Sequence, residues 1–198
     1  MPFKIKTFLK FLLISLLFTL SGHALEGLSV GDKAPRIELK TLDGKTIEVG
    51  NIEKPTVLVF YRGSWCPYCM KQLKKINSEL VDELDKQGAE LLAISVDKPL
   101  VAKKMKDKFD YRFPIISDQE AKSLQAFNIV NKLSGELVDK YKNTYDIDVE
   151  KDSGKTHHMI AHPAVFIVKD QKIVFADVHT NYKKRTKDGE ILEALEKL

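Results

Sequence analysis

Cysteine is almost missing from this chain. Its 198 residues hold two, Cys66 and Cys69, with two residues between them. So few cannot build a disulfide scaffold, which needs several bridges in a short chain. A structural zinc site needs two further ligands at short spacing, and the candidates His157, His158 and His162 lie far along the chain. Covalent haem attachment needs a histidine directly after the second cysteine, where this chain has Met70. A long apolar run is also lacking at the N-terminus. Phe11 to Leu20, "FLLISLLFTL", falls short of the roughly 20 residues an ordinary membrane helix needs.

That short run does fit an export signal. Lys4, Lys6 and Lys10 precede it, and "SGHA" follows, with Gly22 and Ala24 as the small residues of a cleavage site. We expect residues 1–24 to be a signal peptide and 25–198 to be one mature domain. The alternative is an uncleaved N-terminal anchor. After cleavage no stable membrane span is expected. The protein then belongs outside the cytoplasm, in the periplasm or an equivalent space.

Surplus charge is lacking too. The first 24 residues carry three of the 32 basic side chains and none of the 28 acidic ones, which leaves 29 against 28. Nothing in that balance calls for a nucleic-acid partner. The cluster Lys183-Lys184-Arg185 reads as a solvated surface patch. There are no repeats and no low-complexity linkers.

What is present is an alternation of strands and helices. Leu28 to Val49 reads as a short hairpin, with Asp43-Gly44 as its turn. "TVLVFYR", Thr56 to Arg62, is a continuous β-branched apolar run, as a buried strand should be. Leu73, Ile76, Leu80 and Leu84 then recur at helical spacing, and Gln87-Gly88 ends the helix. Ala89 to Asp97 is a second buried strand and Leu100 to Phe109 a helix. "FPIISD" is a short strand and Glu120 to Phe127 a helix. Asn128 to Thr156 lacks clean periodicity and reads as a polar surface insertion. Ala164 to Val178 is an antiparallel hairpin turning at Asp170-Gln171, and Asp188 to Leu198 is a closing helix. This order predicts an α/β fold with a sheet covered by helices.

The cysteine pair sits where the first buried strand turns into a helix. Pro67 has its φ preset for the first helical turn. Free backbone N–H groups and the helix dipole then favour a thiolate on Cys66, in a setting that lowers a cysteine pKa from about 8.5 toward 3.5–7.5. Cys69 is near enough to resolve a mixed disulfide or a sulfenic acid. One bridge closing so small a loop adds little stability, so reactivity explains the pair better than stapling.

Strand, "WCPYC" and amphipathic helix resemble the thioredoxin fold. Across nearly the whole mature chain, "VGDKAPRIELKTLDGK", "VLVFYRGSWCPYCMKQL", "HPAVFIVKD" and "IVFADVHTNYKKR" resemble the peroxiredoxin-like branch of the AhpC/TSA family. The resemblance implies a central mixed sheet flanked by helices, with an N-terminal β-hairpin extension. It implies a Cys66–Cys69 disulfide cycle, no cofactor and no metal, and a thioredoxin-like dithiol as reductant. It makes Pro163 a cis-proline facing the cysteines. His162 is then beside the disulfide in a proton-transfer or thiolate-stabilising role, unless it is an ordinary loop histidine. For His157 and His158 the plain loop reading is stronger.

One departure matters. Peroxiredoxins carry Pro-x-x-x-Thr/Ser-x-x-Cys. Aligned on Cys69, this chain has Cys66 at the hydroxyl position and Arg62 at the proline position; aligned on Cys66, it has Gly63 and Val59. The hydroxyl that helps hold a peroxide is missing in both registers. Arg62 and Ser64 are its candidate substitutes, with Trp65 shaping the same loop, although Arg62 also fits a solvated strand end. Two activities therefore compete: reduction of peroxides, and exchange with protein disulfides as in thioredoxin-like and TlpA-like reductases. A third reading, copper delivery on the same fold, is weaker because such proteins carry three residues between the cysteines.

Overall fold

The computed structural model describes residues 27–198, so the expected signal segment and its cleavage site lie outside the described residues. The hairpin comes first, as strands β1 (Glu38–Lys40) and β2 (Thr46–Glu48). A five-stranded mixed sheet forms the centre. Its strands are β3 (Thr56–Phe60), β4 (Glu90–Ser95), β5 (Ile115–Ser117), β8 (Ala164–Lys169) and β9 (Lys172–Val178), in the order β5-β4-β3-β8-β9. β3, β4 and β5 run parallel, while β8 and β9 are antiparallel additions. Asp170 and Gln171, both with positive φ, make the tight β8–β9 turn.

β3 lies at the middle of the sheet and is buried on both sides. Its pleat divides the core in two. Val57 and Val59 join Leu73, Ile76, Leu80 and Leu84 from the helix after the cysteines, with Ile191 from the closing helix α7 (Asp188–Glu196). Leu58 and Phe60 face the other layer, with Leu39 and Val49 of the hairpin region and Leu124 of α4 (Lys122–Ala126). Phe60, Phe127 and Phe166 pack there with ring centres 4.8–5.9 Å apart.

The helix after the cysteines is not uniform. It runs as α1 (Pro67–Lys75), one π-helical turn over Ile76–Leu80, and α2 (Val81–Lys86). Leu73, Ile76, Leu80 and Leu84 all face the sheet through this change of winding, each at most 1% exposed. α3 (Pro99–Phe109) links β4 to β5 on the same face.

The stretch Asn128 to Thr156 is not a surface insertion. It contains β6 (Val130–Lys132), α5 (Gly135–Tyr145) and α6 (Val149–Ser153), and β6 pairs with β7 (Met159–Ala161). Leu133, Val138 and Val149 are buried in the second core layer. The apolar stripe of α5 is narrow, so polar residues dominate its composition. Its boundaries are nonetheless marked: Ser134 caps α5 through the N–H of Leu137, and Asp148 caps α6 through that of Lys151.

Candidate active site

β3 ends at Phe60, and the next six residues carry the chain across the sheet edge to Cys66. Gly63 permits the tight path, since a Cβ there would collide with the Trp65 ring. Ser64 is pinned from below: its N–H donates to the Asp97 carboxylate at 2.8 Å. Cys66 is then the N-cap of α1 in an extended conformation, with Pro67 opening the helix. The Cys66 sulfur accepts the N–H of Cys69 at 3.3 Å. The two cysteines are joined as a disulfide, with Cα atoms 5.2 Å apart.

Both cysteines are fully buried, Cys66 included. Pro67 and Tyr68 are exposed beside them, and the covering group is Arg185. Its Nη2 lies 3.0 Å from the Cys69 sulfur and 3.7 Å from that of Cys66. Its Nη1 donates to the carbonyls of Tyr182 and Lys184, which fixes the guanidinium in place. Arg185 therefore does not belong to a solvated patch; Lys183 and Lys184 do. Burial first, and the charge of Arg62 second, pull the Arg185 guanidinium down to about 10, so it stays cationic at neutral pH.

Arg62 is not a solvated strand end either, being only 5% exposed. Its guanidinium lies between the rings of Trp65 and Tyr182, 4.9 Å from each centre, and donates to the Tyr141 hydroxyl at 2.6 Å. Trp65 meets Tyr141 edge-on at 5.6 Å, and Tyr182 meets Tyr68 at 5.8 Å. A rim of aromatic rings thus surrounds the disulfide, with one cation built into it.

His162 and Pro163 lie at the same end of the sheet, because Ala164 pairs with Phe60 in the ladder. His162 is half-buried. Burial holds its imidazole below the usual range, a hydrogen bond with the His179 backbone opposes this, and the Arg62 charge lowers it further. The expected cis-proline is not found: no described peptide bond is cis, so His162–Pro163 is trans. Trans is the lower-energy isomer of any X-Pro bond. The backbone here is satisfied in that form, with His162 N–H donating to Ile129 and the Pro163 carbonyl accepting from His179. His157 and His158 stand apart from this group. His157 bonds the Gln119 carbonyl and His158 pairs with Glu150 at 2.6 Å. Among the described residues no cluster of three or more His, Cys, Asp or Glu side chains is placed to hold a metal.

Beneath the loop, Asp97 is buried at the end of β4. Burial pushes its carboxyl up to about 7, against the pull of hydrogen bonds from Ser64 and Ser95. Asp97, Tyr141, Tyr182 and Arg185 were not legible as site residues. Arg185 meets the cysteines, and the other three meet the residues around them, only through tertiary contact, and none has a local spacing tied to the CxxC pair.

The arrangement can stabilise negative charge on both sulfurs. Backbone N–H groups at the start of α1 serve Cys66, and a guanidinium serves Cys69. Comparison with known proteins agrees with that chemistry. A thiol-disulfide oxidoreductase ResA from Bacillus thuringiensis is 27% identical over 116 residues, covering 58% of this chain and 66% of the relative. ResA from Geobacillus kaustophilus is 32% identical over 113 residues, covering 57% of this chain and 64% of the relative. The chain thus spans slightly less than two thirds of these relatives. Among solved structures, peroxidoxin BcpB from Mycobacterium tuberculosis superposes with a TM-score of 0.65 at 17% identity, covering 86% of this chain and 98% of that one. Peroxiredoxin Q from Xanthomonas campestris gives 0.63 at 20%, covering 88% and 98%. These likenesses support the thioredoxin-like fold. The family model of AhpC/TSA matches residues 30–176, through both halves of the sheet and the cysteine loop, and the chain belongs to that family.

Proposed function

We propose that this protein is a thiol-dependent peroxidase working through a Cys66–Cys69 thiol/disulfide cycle. The observation that carries this reading is the closed site, in which a guanidinium lies on two sulfurs that solvent does not reach. Any reactant reaches these sulfurs only when the cover shifts; a peroxide needs a far smaller displacement than a folded protein disulfide, which must bring its own sulfur to bonding distance. Arg185, which lies on both sulfurs, also supplies a donor that the missing hydroxyl would otherwise give. Hydrogen-bond donors aimed at a breaking O–O bond stabilise the charge that develops there.

The cycle balances as follows. The Cys66 thiolate attacks one peroxide oxygen and the O–O bond breaks. The other oxygen leaves with the bonding electrons, takes a proton and departs as water or an alcohol. Cys66 is now a sulfenic acid. The Cys69 thiolate attacks its sulfur, hydroxide leaves and is protonated to water, and the disulfide forms. An external dithiol returns two electrons and two protons and becomes a disulfide itself. That reductant must reach one sulfur, so the irregular stretch 179–187, which carries Tyr182 and Arg185, has to move aside.

A second reading is exchange with protein disulfides, favoured by the similarity to ResA. To decide, the reduced protein is mixed with hydrogen peroxide and, separately, with a disulfide-bonded protein, and thiol loss is followed in each. We expect fast loss with peroxide and slow loss with the protein; the reverse order would replace the first reading by the second. We also propose export to the periplasm or an equivalent space, on the form of residues 1–24. N-terminal sequencing of the secreted form should begin at Leu25, and a mature chain retaining Met1 would favour an anchor.

A further inference from the structure

Two guanidinium groups are held at the disulfide, and neither has a carboxylate within ion-pair distance among the described residues. Burying a cation without a counter-ion is costly, so such groups are ordinarily paired. Arg62 is only 5% exposed, and its Nε has no hydrogen-bond partner among the described residues. The Nε of Arg185 has none either, nor does Nδ1 of His162. Tyr182 links the two arginines: its ring lies against Arg62 and its carbonyl accepts from Arg185. The nearby acids are already engaged. Asp177 lies 3.0 Å from His179, Glu190 accepts the N–H of Lys187, and Asp97 accepts that of Ser64.

The redox cycle accounts for one of the two charges. When the pair is reduced, a thiolate beside Arg185 balances that guanidinium. Arg62 remains unbalanced in both redox states, since among the described residues its only hydrogen-bond partner is the Tyr141 hydroxyl. We propose that Arg62, with Arg185 and His162 beside it, is a receptor for a carboxylate carried by the substrate, so that the preferred peroxides are hydroperoxides bearing a carboxylate. The planar guanidinium fork suits a two-oxygen anion. The aromatic faces of Trp65 and Tyr182 hold that fork in one orientation, so little side-chain freedom is lost on binding. Tyr182 and Tyr68, in edge contact at 5.8 Å, are the exposed part of the rim and have to part for a ligand to reach Arg62. The substrate class rests on the peroxidase reading; the anion site does not.

Trp65 is the chain's single tryptophan and lies against Arg62, so its fluorescence reports on the site. The full-length disulfide form is titrated with sodium acetate at constant ionic strength, with sodium chloride as reference. We expect a saturable change with acetate alone, lost in Arg62→Met. Should that variant misfold by circular dichroism, Arg62→Lys takes its place; it keeps the charge but not the fork, and saturation should weaken at least tenfold. Peroxidase rates of the reduced enzyme are then compared for a short carboxylate-bearing hydroperoxide and its methyl ester. The acid should be favoured by about tenfold or more, the scale of one charge-assisted contact, and Arg62→Met should bring the ratio near one. An acetate response that never saturates, or that chloride reproduces, overturns the site. Equal rates for acid and ester overturn the substrate class while leaving the peroxidase reading intact. Saturable acetate binding without peroxide turnover keeps the site and removes the peroxidase reading. The carboxylate source is then tested with glutathione disulfide, whose reduction acetate should inhibit.

Discussion

Cys66 and Cys69 receive different electrostatic support, and within the proposed cycle this points to different steps. Cys66 caps α1 and its sulfur accepts a backbone N–H, while Arg185 lies closer to Cys69. The first arrangement favours Cys66 as the attacking thiolate; the second favours Cys69 as the resolving thiolate and, during reduction, as the leaving group. Cys66→Ser should abolish turnover. Cys69→Ser should consume one equivalent of peroxide and stop as a sulfenic acid, detectable by mass. Stopped-flow consumption by both variants checks this, and fast single-turnover consumption by Cys66→Ser would reverse the roles. Asp97 adds a pH dependence. Its folded pKa of about 7 is above the ordinary 3.8, so between these values the folded protein holds a proton that the unfolded chain has released. The resulting stabilisation is complete below about pH 4 and is lost as pH rises through about 7. Asp97→Asn keeps an acceptor for the Ser64 N–H and has no charge to bury. Its Tm should therefore fall less than that of the wild type between pH 5 and 8. Parallel Tm profiles would show that Asp97 does not titrate in this window.

At the scale of elements, α5 is the part that joins a peripheral segment to the chemistry. Tyr141 from this helix accepts from Arg62 and packs against Trp65. Tyr141→Phe leaves the ring packing and removes the one hydrogen bond that the Arg62 guanidinium makes among the described residues. We expect kcat/KM for peroxide to fall about tenfold, the scale of a hydrogen bond to a charged group, with Tm lowered by only a few degrees. An unchanged kcat/KM would detach α5 from the site. This helix also marks the limit of what local pattern can convey. β3, β4 and the β8–β9 hairpin were legible because strands buried on both faces need continuous β-branched runs, and such runs are unmistakable. α1 was legible from Pro67 and its apolar spacing. The π turn was not, because Ile76 and Leu80 fit an ordinary helix as well as a bulged one. The segment 128–156 was misread because each of its pieces buries only a few side chains. Arg185 was misread because two lysines precede it, and only the packing of 179–187 over α1 distinguishes the one that turns inward.

At the scale of the whole molecule, two apolar layers rather than the one disulfide are expected to carry the stability. Two apolar layers, one on each face of the sheet, draw side chains from nearly every element. The bridge joins residues three apart in sequence. Closing so small a loop removes little entropy from the unfolded chain, about 2 kcal/mol by the loop-length relation. Reduction also changes the folded side of the balance. It frees thiolates that the N–H groups of α1 and the Arg185 guanidinium are placed to hold, and that gain offsets part of the lost constraint. A structural staple behaves otherwise, since removing one from a small secreted domain typically costs 2–5 kcal/mol. Calorimetry of the oxidised and reduced protein at pH 7 should therefore give Tm values within a few degrees of each other. The gap should widen in Arg185→Met, where the reduced form loses its counter-charge. A reduced protein that melts well below the oxidised one, by the same amount with or without Arg185, would make the bridge structural and remove the basis for a reversible cycle.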